Sequence, residues 1–180
     1  MLYGLPKVHK DGCPIRPILS AIGTFNYNLA KFFVPILAPL TTNEYTLANS
    51  IQFVKDVLSV KFPHQFFMAS FDVKSLFTNI PLNETVEICV NEIERLKLFP
   101  NDFTAQEFRS LLEVATKVSV FVFNNQFYRQ VDGVAMGSPL GPTLANAFLC
   151  FYEKKWVDNC SAEFKPLLYK RYVDDCFFSV

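Results

Sequence analysis

No apolar run in this 180-residue sequence approaches the length of about 18 residues that a membrane-spanning helix needs. The best candidate, residues 29–40, is interrupted by one lysine and two prolines. The N-terminal residues also lack the apolar stretch of a signal peptide. The sequence therefore predicts no membrane partner, and we expect an intracellular protein.

The sequence is also poor in cysteine patterns and in net charge. It has five cysteines, an odd number, and no CxxC motif, so it predicts neither a disulfide framework nor a zinc site. The formal net charge is zero, which argues against strong nonspecific binding of nucleic acid by this chain. The basic residues are unevenly distributed, so local basic patches near the two ends of the chain remain possible. Their residues are Lys7, Lys10 and Arg16, and then Lys154, Lys155, Lys165, Lys170 and Arg171.

What the chain has in abundance is apolar residues, at 51% of the total with twenty phenylalanines, enough for a packed core. Their spacing predicts helices, strands and hairpins in a mixed order. We expect an α+β fold in which a small antiparallel sheet has helices packed on one face. The expected helices are 24–37 with Thr24 as N-cap, 46–59, 81–97, one beginning with a Thr104–Glu107 capping box, and 142–158; the expected strands are a buried one at 66–72 and hairpins at 118–131 and 167–180.

Three aspartates stand out because their neighbours are apolar. Asp72 ends the strand that we expect to be buried, and Asp174 and Asp175 are adjacent in the sequence YVDDCFFSV. A buried carboxylate is costly unless a cation or hydrogen-bond donors meet it. One explanation is structural: Asp72 caps a strand end and the pair lies in an exposed turn. The other is a divalent metal site shared by all three.

The metal explanation predicts magnesium, because carboxylate oxygens are hard ligands. Two ions on such a site would activate an attacking oxygen and stabilise a leaving oxygen across a phosphorus atom. Lys10 and Arg16 flank a Lys-Asp-Gly turn and could grip a triphosphate. The segment DGVAMGSPLGP precedes a helix, and its glycines would let a backbone or a base come close. Taken alone, that segment also fits an ordinary loop.

Together these segments follow the motif order of reverse transcriptases. KDGCPIRPIL, FDVKSLF, GVAMGSPLGPTLANAF and YVDD succeed one another along the chain. YGLPKVHK, SFDVKSLFTNIPL and VAMGSPLGPTLAN most resemble Penelope-like retroelements, a group related to telomerase reverse transcriptase. The resemblance runs from residue 3 to the end. It implies an RNA-directed DNA polymerase with a right-hand fingers and palm architecture, acting in the nucleus on an RNA template, a DNA primer and deoxynucleoside triphosphates (dNTPs).

The resemblance also implies a cofactor and a role for each matching residue. The cofactor is two Mg²⁺ ions, for which Mn²⁺ can substitute. Asp72, Asp174 and Asp175 are implied as the catalytic and metal-binding acids, with Asp174 the better metal ligand, Asp175 the supporting acid and the Val73 carbonyl as a further ligand. The implied substrate-binding residues are Lys7, Lys10 and Arg16 for the triphosphate, Gly137 for the templating base or nucleotide, Tyr172 for the primer end, and Phe77 for the sugar.

Phe77 lies five residues after Asp72, where a ring would stack on the sugar and clash with a 2′-hydroxyl. RNA-copying RNA polymerases have a similar palm but place a polar or acidic residue there, and they prefer Gly-Asp-Asp to Val-Asp-Asp. Both differences favour deoxynucleotides. The alternative is that Phe77 is an ordinary core aromatic. One departure from the pattern is Met136, which stands where many reverse transcriptases carry glutamine and which removes a polar contact to nucleotide or template.

The resemblance implies partial fingers at residues 1–60 and a palm at residues 61–180. It also implies that a thumb and a GIY-YIG endonuclease segment lie outside these residues, so we expect a fragment. Two other functions remain open. One is a retroelement remnant with no polymerase activity of its own, and the other is the palm of an RNA-dependent RNA polymerase.

Overall fold

The computed structural model describes residues 2–8, 10–100, 103–117 and 119–180. This part of the chain has a mixed α/β architecture with small antiparallel sheets and six α-helices, as the expected α+β class requires. None of those helices is long and apolar enough to cross a membrane. The elements in order are β1 (Leu2–Pro6), β2 (Ile15–Leu19), α1 (Tyr27–Leu37), α2 (Ser50–Ser59), β3 (Met68–Asp72), α3 (Leu76–Asn79), α4 (Leu82–Arg95), α5 (Ala105–Lys117), β4 (Val120–Phe123), β5 (Gln126–Arg129), α6 (Gly141–Asp158), β6 (Leu168–Tyr172) and β7 (Asp175–Ser179).

The strands form two hairpins and one three-stranded sheet. Strand β1 pairs with β2, and β4 with β5, each antiparallel. The sheet has the order β3-β7-β6, with Asp72 opposite Asp175 and Tyr172 opposite Asp175 in its two registers. Both expected hairpins are confirmed, although residue 118 of the first lies outside the described residues.

The hydrophobic core lies among α1, α4, α5 and α6. Phe33 of α1 and Phe108 of α5 are fully buried, and their rings meet edge to face with centroids 5.1 Å apart. Val86 and Ile93 of α4 are also completely buried, two turns apart on one helix face. Burying such a side chain stabilises a fold by about 1.5–3 kcal/mol, so these helices provide the rigid base of the molecule.

Local capping signals were correct at α5 and wrong at α1. The Thr104 backbone amide donates to Glu107 Oε2 at 2.9 Å, and the Glu107 amide donates to Thr104 Oγ1 at 3.2 Å, which confirms the capping box. At α1 the N-cap is Asn26 and not Thr24. The Thr24 hydroxyl donates instead to the Ala21 carbonyl at 2.7 Å, because Thr24 closes a turn just before the helix.

The strand at 66–72 was expected to be buried, and that expectation is wrong. All five residues of β3 are exposed, including Asp72. Edge position is not the reason, because β6 is the other edge strand and has two buried residues, Leu168 and Arg171, on the sheet that α6 contacts. What β3 lacks is cover over its faces. An apolar sequence therefore identified the strand but not its burial.

The expectation of helices on one sheet face is also wrong, because helices contact both faces. Phe177 of β7 meets Phe53 of α2 with ring centroids 5.1 Å apart. Phe177 lies opposite Lys170 of β6. The next residue of β6, Arg171, points to the other face of the sheet and pairs with Glu153 of α6. Alternation along the strands therefore sends successive side chains to α2 and to α6.

Candidate active-site cavity

A cavity of about 910 Å³ opens between the β1–β2 hairpin, the end of β3, and the segment before α6. Its volume is in the range of small-molecule and cofactor sites. Seven of the residues singled out from the sequence line it together: Lys7, Arg16, Asp72, Val73, Phe77, Gly137 and Asp174. They come from five separate segments of the chain, so only the folded structure brings them together.

Three predicted site residues do not line the cavity. Lys10 is exposed in the β1–β2 turn, where its amide donates to the Lys7 carbonyl at 3.0 Å. Tyr172 ends β6 and is 50% exposed. Asp175 is exposed at the start of β7, directly opposite Asp72 in the strand register. Their predicted contacts with triphosphate, primer and metal stay predictions.

The β6–β7 turn delivers Asp174 to the cavity. Because Tyr172 pairs with Asp175, the turn consists of Val173 and Asp174 alone. Val173 has a φ of 58°, at the position where glycine is usual in a hairpin turn with one positive φ. The turn is tied to the end of β3, since the Val73 amide donates to the Asp174 carbonyl at 2.9 Å. This bond holds the two carboxylate-bearing segments side by side.

The described residues contain no group of three or more histidine, cysteine, aspartate or glutamate side chains arranged to hold a metal ion. Two carboxylates, Asp72 and Asp174, nevertheless line the same cavity, and no histidine or cysteine among the described residues lines it with them. An oxygen donor set of this kind matches magnesium and not zinc. Asp72 and Asp174 therefore fit a magnesium ion by their chemistry, while the three-acid site stays a prediction.

Positively charged residues line the same cavity as these carboxylates. Lys7 and Arg16 come from the β1–β2 hairpin, and Lys31 comes from α1. The Lys31 ammonium lies 5.8 Å from the centroid of the Tyr27 ring, which also lines the cavity. None of the ion pairs among the described residues uses these three cations. The sequence did not identify Lys31, because only the packing of α1 beside the hairpin brings it here.

The Gly-rich segment forms the cavity wall by close backbone contact. A Cβ atom on Gly137 would lie 2.3 Å from the Leu19 carbonyl oxygen, and its φ of 124° also favours glycine. The Leu19 amide donates to the Met136 carbonyl at 2.7 Å, so this segment is fastened to the end of β2. On the other side, the Val134 amide donates to the Phe77 carbonyl at 2.7 Å. The segment is thus a packed wall and not an ordinary loop.

A buried ion pair lies directly behind the β6–β7 turn. Arg171 is 1% exposed and Glu153 is 2% exposed, and Arg171 Nε donates to Glu153 Oε1 at 2.5 Å. Burial lowers the pKa of the guanidinium, but the hydrogen bond and the charge of Glu153 outweigh it, so the pKa of Arg171 is raised above its ordinary value. The sequence suggested Arg171 only as part of a basic patch. The available signal was its alternation with Tyr169, which places both on the α6 face.

The fold of this chain is similar to part of the fold of telomerase. One solved structure, apo telomerase from Candida tropicalis truncated from its C-terminal domain, matches with a TM-score of 0.62 and 15% identity over 99% of this chain and 43% of that chain. A second, apo telomerase from the same organism, has a TM-score of 0.62 and 14% identity over 99% of this chain and 38% of that chain. This chain thus spans less than half of either telomerase chain.

No protein-family model matches the sequence, and comparison with curated proteins gives no match. At identities of 14–15% the telomerase likeness shows the fold alone. The expectation of a reverse-transcriptase-like fold is confirmed at that level. The division into fingers and palm, and the Penelope-like assignment, stay predictions.

Proposed function

We propose that this chain is the fingers and palm part of an RNA-directed DNA polymerase of the Penelope-like type, found in the nucleus. Its substrates are dNTPs, an RNA template and a DNA primer. The observation that supports the proposal is that cations from the β1–β2 hairpin line the same cavity as Asp72 and Asp174. The order of the sequence motifs and the telomerase fold support it independently.

The reaction joins the 3′-oxygen of the primer to the α-phosphorus of the dNTP. The bond from that phosphorus to the bridging oxygen breaks, and pyrophosphate leaves. Lys7, Arg16 and Lys31 bind and orient the triphosphate, which supplies most of what a phosphoryl transfer needs from a protein. Asp72 and Asp174 would hold Mg²⁺, which when bound neutralises phosphate charge and activates the attacking hydroxyl.

Phe77 and the Gly-rich wall select the nucleotide. Phe77 and Ser75 both line the cavity, and the Phe77 carbonyl accepts from the Val134 amide at 2.7 Å. Its half-buried side chain packs against the hydrophobic core, which limits its movement. A ring at this position excludes a 2′-hydroxyl from the sugar site. Gly137 presents no side chain to the cavity, so a flat base can approach the Met136–Gly137 backbone.

The test is primer extension on an RNA template with dNTPs and Mg²⁺ or Mn²⁺. We expect Asp174→Ala and Asp72→Ala to lower the extension rate by about 10³-fold or more, because each removes a carboxylate that would hold the Mg²⁺ needed to neutralise the phosphate charge. Glu163→Ala is the matched control, since Glu163 is exposed and lies outside the cavity lining. Extension by both aspartate variants at the wild-type rate would overturn the proposal.

The inactive remnant is the second candidate, favoured by apolar exposure on β3 and just before it. Phe67, Met68 and Phe71 are 79%, 52% and 47% exposed, a surface that further protein would ordinarily cover. If the wild-type chain gives no extension, the same assay on a version lengthened at its C-terminus decides between the two. Extension by the lengthened version supports a polymerase fragment, and no extension supports the remnant.

A further inference from the structure

The backbone at Val173 has an unusual conformation. A β-branched residue at a φ of 58° is a genuine outlier, and such a conformation persists only where the surroundings hold it. Here the outlier is the residue between Tyr172 and Asp174, so any relaxation of Val173 moves Asp174. The question is which contact holds the turn in place.

Arg171 supplies that contact. Its Nη1 donates to the Val173 carbonyl at 2.8 Å and to Asn146 Oδ1 at 2.8 Å. Its Nη2 donates to Glu153 Oε2 at 3.2 Å and to Cys150 Sγ at 3.3 Å, and its Nε donates to Glu153 Oε1 at 2.5 Å. A guanidinium has five N–H donors, and all five have partners here. One of these donors binds the carbonyl of Val173, the residue with the unusual backbone conformation.

The carboxylate on the other side is fixed equally well. Glu153 Oε1 also accepts from the Tyr169 hydroxyl at 3.0 Å, and Glu153 Oε2 accepts from Asn43 Nδ2 at 3.1 Å. The backbone of Arg171 is held too, since its amide donates to the Tyr45 carbonyl at 2.8 Å. The guanidinium is therefore anchored to α6, to β6 and to the segment at 43–46 before it reaches the turn.

We propose that the buried Arg171–Glu153 pair is a positioning device that fixes the Val173 carbonyl and thereby aims Asp174 into the cavity. The positioning itself rests on these contacts, and its catalytic consequence rests on the proposed polymerase function. Arg171 and Glu153 act through the turn and do not touch the cavity lining.

Stability alone does not explain a buried ion pair at this place. Apolar side chains of similar volume often stabilise a core as well as a buried pair does. Such side chains would fill the space between α6 and β6, but they would leave the Val173 carbonyl without its donor. The pair therefore has two roles, because it fills the space between α6 and β6 and it holds the turn. Substitutions can test these roles separately.

The experiment replaces both partners in the double variant Arg171→Met/Glu153→Leu and follows amide hydrogen exchange by NMR. The reporter is the Val73 amide, because it is bonded to the Asp174 carbonyl of the turn. The matched control is Lys170→Met/Asp56→Leu, which removes a 2.8 Å ion pair one position away on the opposite sheet face. Should the first double variant fail to fold, Arg171→Lys is read in the same way, since an ammonium has fewer donors and a different reach.

We expect Val73 to exchange about tenfold faster or more in the Arg171 variant, and amides in α4 to change by less than about twofold. In the control both should stay near wild type. Unchanged exchange at Val73 would overturn the proposal. Equal acceleration at Val73 and in α4 would overturn it too, because the pair would then stabilise the whole fold and not the turn.

Where the wild-type chain extends a primer, the same variant should lose about 100-fold in kcat. KM for the dNTP should change by less than about threefold, because Lys7 and Arg16 are untouched. Exchange needs no catalysis, so a chain without polymerase activity still decides the positioning claim. Faster exchange at Val73 with kcat unchanged would refute the catalytic consequence alone.

Discussion

The cavity and the cluster behind it use the same kinds of charged residue in opposite ways. In the cavity, Asp72 and Arg16 are exposed, and neither takes part in an ion pair among the described residues. Behind the turn, Arg171 and Glu153 are buried and bonded to each other and to neighbours on every side. The exposed charges of the cavity are available to a ligand. The buried charges behind the turn are already paired within the protein.

The two regions are joined by the turn at Val173 and Asp174. One side of the turn accepts from the buried Arg171, and the other side carries the carboxylate that lines the cavity. Charge alone therefore does not mark a functional site. The two regions differ in how deeply their charged residues are buried and in how many hydrogen-bond partners these have. Substitutions in the buried cluster should lower stability, and substitutions in the cavity should lower activity.

The largest expected difference comes from Glu153→Ala set against Asp72→Ala. Removing Glu153 leaves the Arg171 guanidinium buried without its counter-ion, which should lower the free energy of unfolding by about 3–5 kcal/mol. Asp72 is exposed, so its removal should change stability by less than about 0.5 kcal/mol. Urea denaturation measures both values. Equal losses for the two variants would erase the distinction between the regions.

A second contrast concerns two glycines with positive φ, one in the cavity wall and one in the β1–β2 turn. For Gly137→Ala the new Cβ would lie 2.3 Å from the Leu19 carbonyl oxygen, so we expect a loss of about 2–4 kcal/mol in the free energy of unfolding. For Gly12→Ala nothing lies within 4 Å, and only the φ of 73° opposes it, at about 1–2 kcal/mol. Thermal or urea unfolding compares them. A larger loss at Gly12 would contradict the close contact at Gly137.

The third contrast tests whether Phe77 belongs to the cavity or to the core. Phe77→Val should lower the preference for deoxy- over ribonucleotides by about 10- to 100-fold, because it opens space for a 2′-hydroxyl. Single-nucleotide incorporation with paired dNTP and rNTP substrates measures it. Phe62→Val is the control, since Phe62 is also half-buried and lies outside the cavity lining.

An unchanged preference in Phe77→Val, in an enzyme that still extends primers, would remove the argument against an RNA-dependent RNA polymerase. A fall in stability without a change in preference would assign Phe77 to the core. Either result would move Phe77 out of the set of ligand-facing residues.

Local signals in the sequence predicted most of the secondary structure. The Thr104–Glu107 box was found because both partners lie within four residues of each other. The exposure of β3 could not be predicted, since it depends on what packs over the strand and not on its own residues. The edge position of β3 is set by a pairing with residues about a hundred positions away.

The site could be predicted as a set of residues but not as an arrangement. Motif order singled out Arg16 and Asp72, which the fold does bring to one cavity. It gave no reason to separate Lys10 from Arg16, because only the folded hairpin shows that Lys10 lies in its turn and Arg16 in β2, beside the cavity. The pairing of Arg171 could not be predicted for the same reason, because its partner Glu153 lies on another element and no local pattern connects the two.

The smallest contrast sets a buried thiol against an exposed one. Burial raises the pKa of Cys89 to about 12, well above the ordinary value of 9.0. Because the folded pKa is higher than the unfolded one, the stabilising effect is complete below pH 9 and is lost as pH rises from there towards 12. At pH 10 the free energy of unfolding should have fallen by about 1.4 kcal/mol on this account.

Urea denaturation between pH 8 and pH 10, on wild type and on Cys89→Ala, isolates that contribution, because other groups titrate alike in both. The variant should be less stable at every pH but should lose about 1.4 kcal/mol less across the range. Cys13→Ala, which removes an exposed thiol, is the control. If Cys89→Ala and wild type lose the same stability, the thiol must ionise as easily in the folded chain as in the unfolded one. The core around α4 would then be open to water, and the distinction between a buried core and an exposed cavity would be wrong for Cys89.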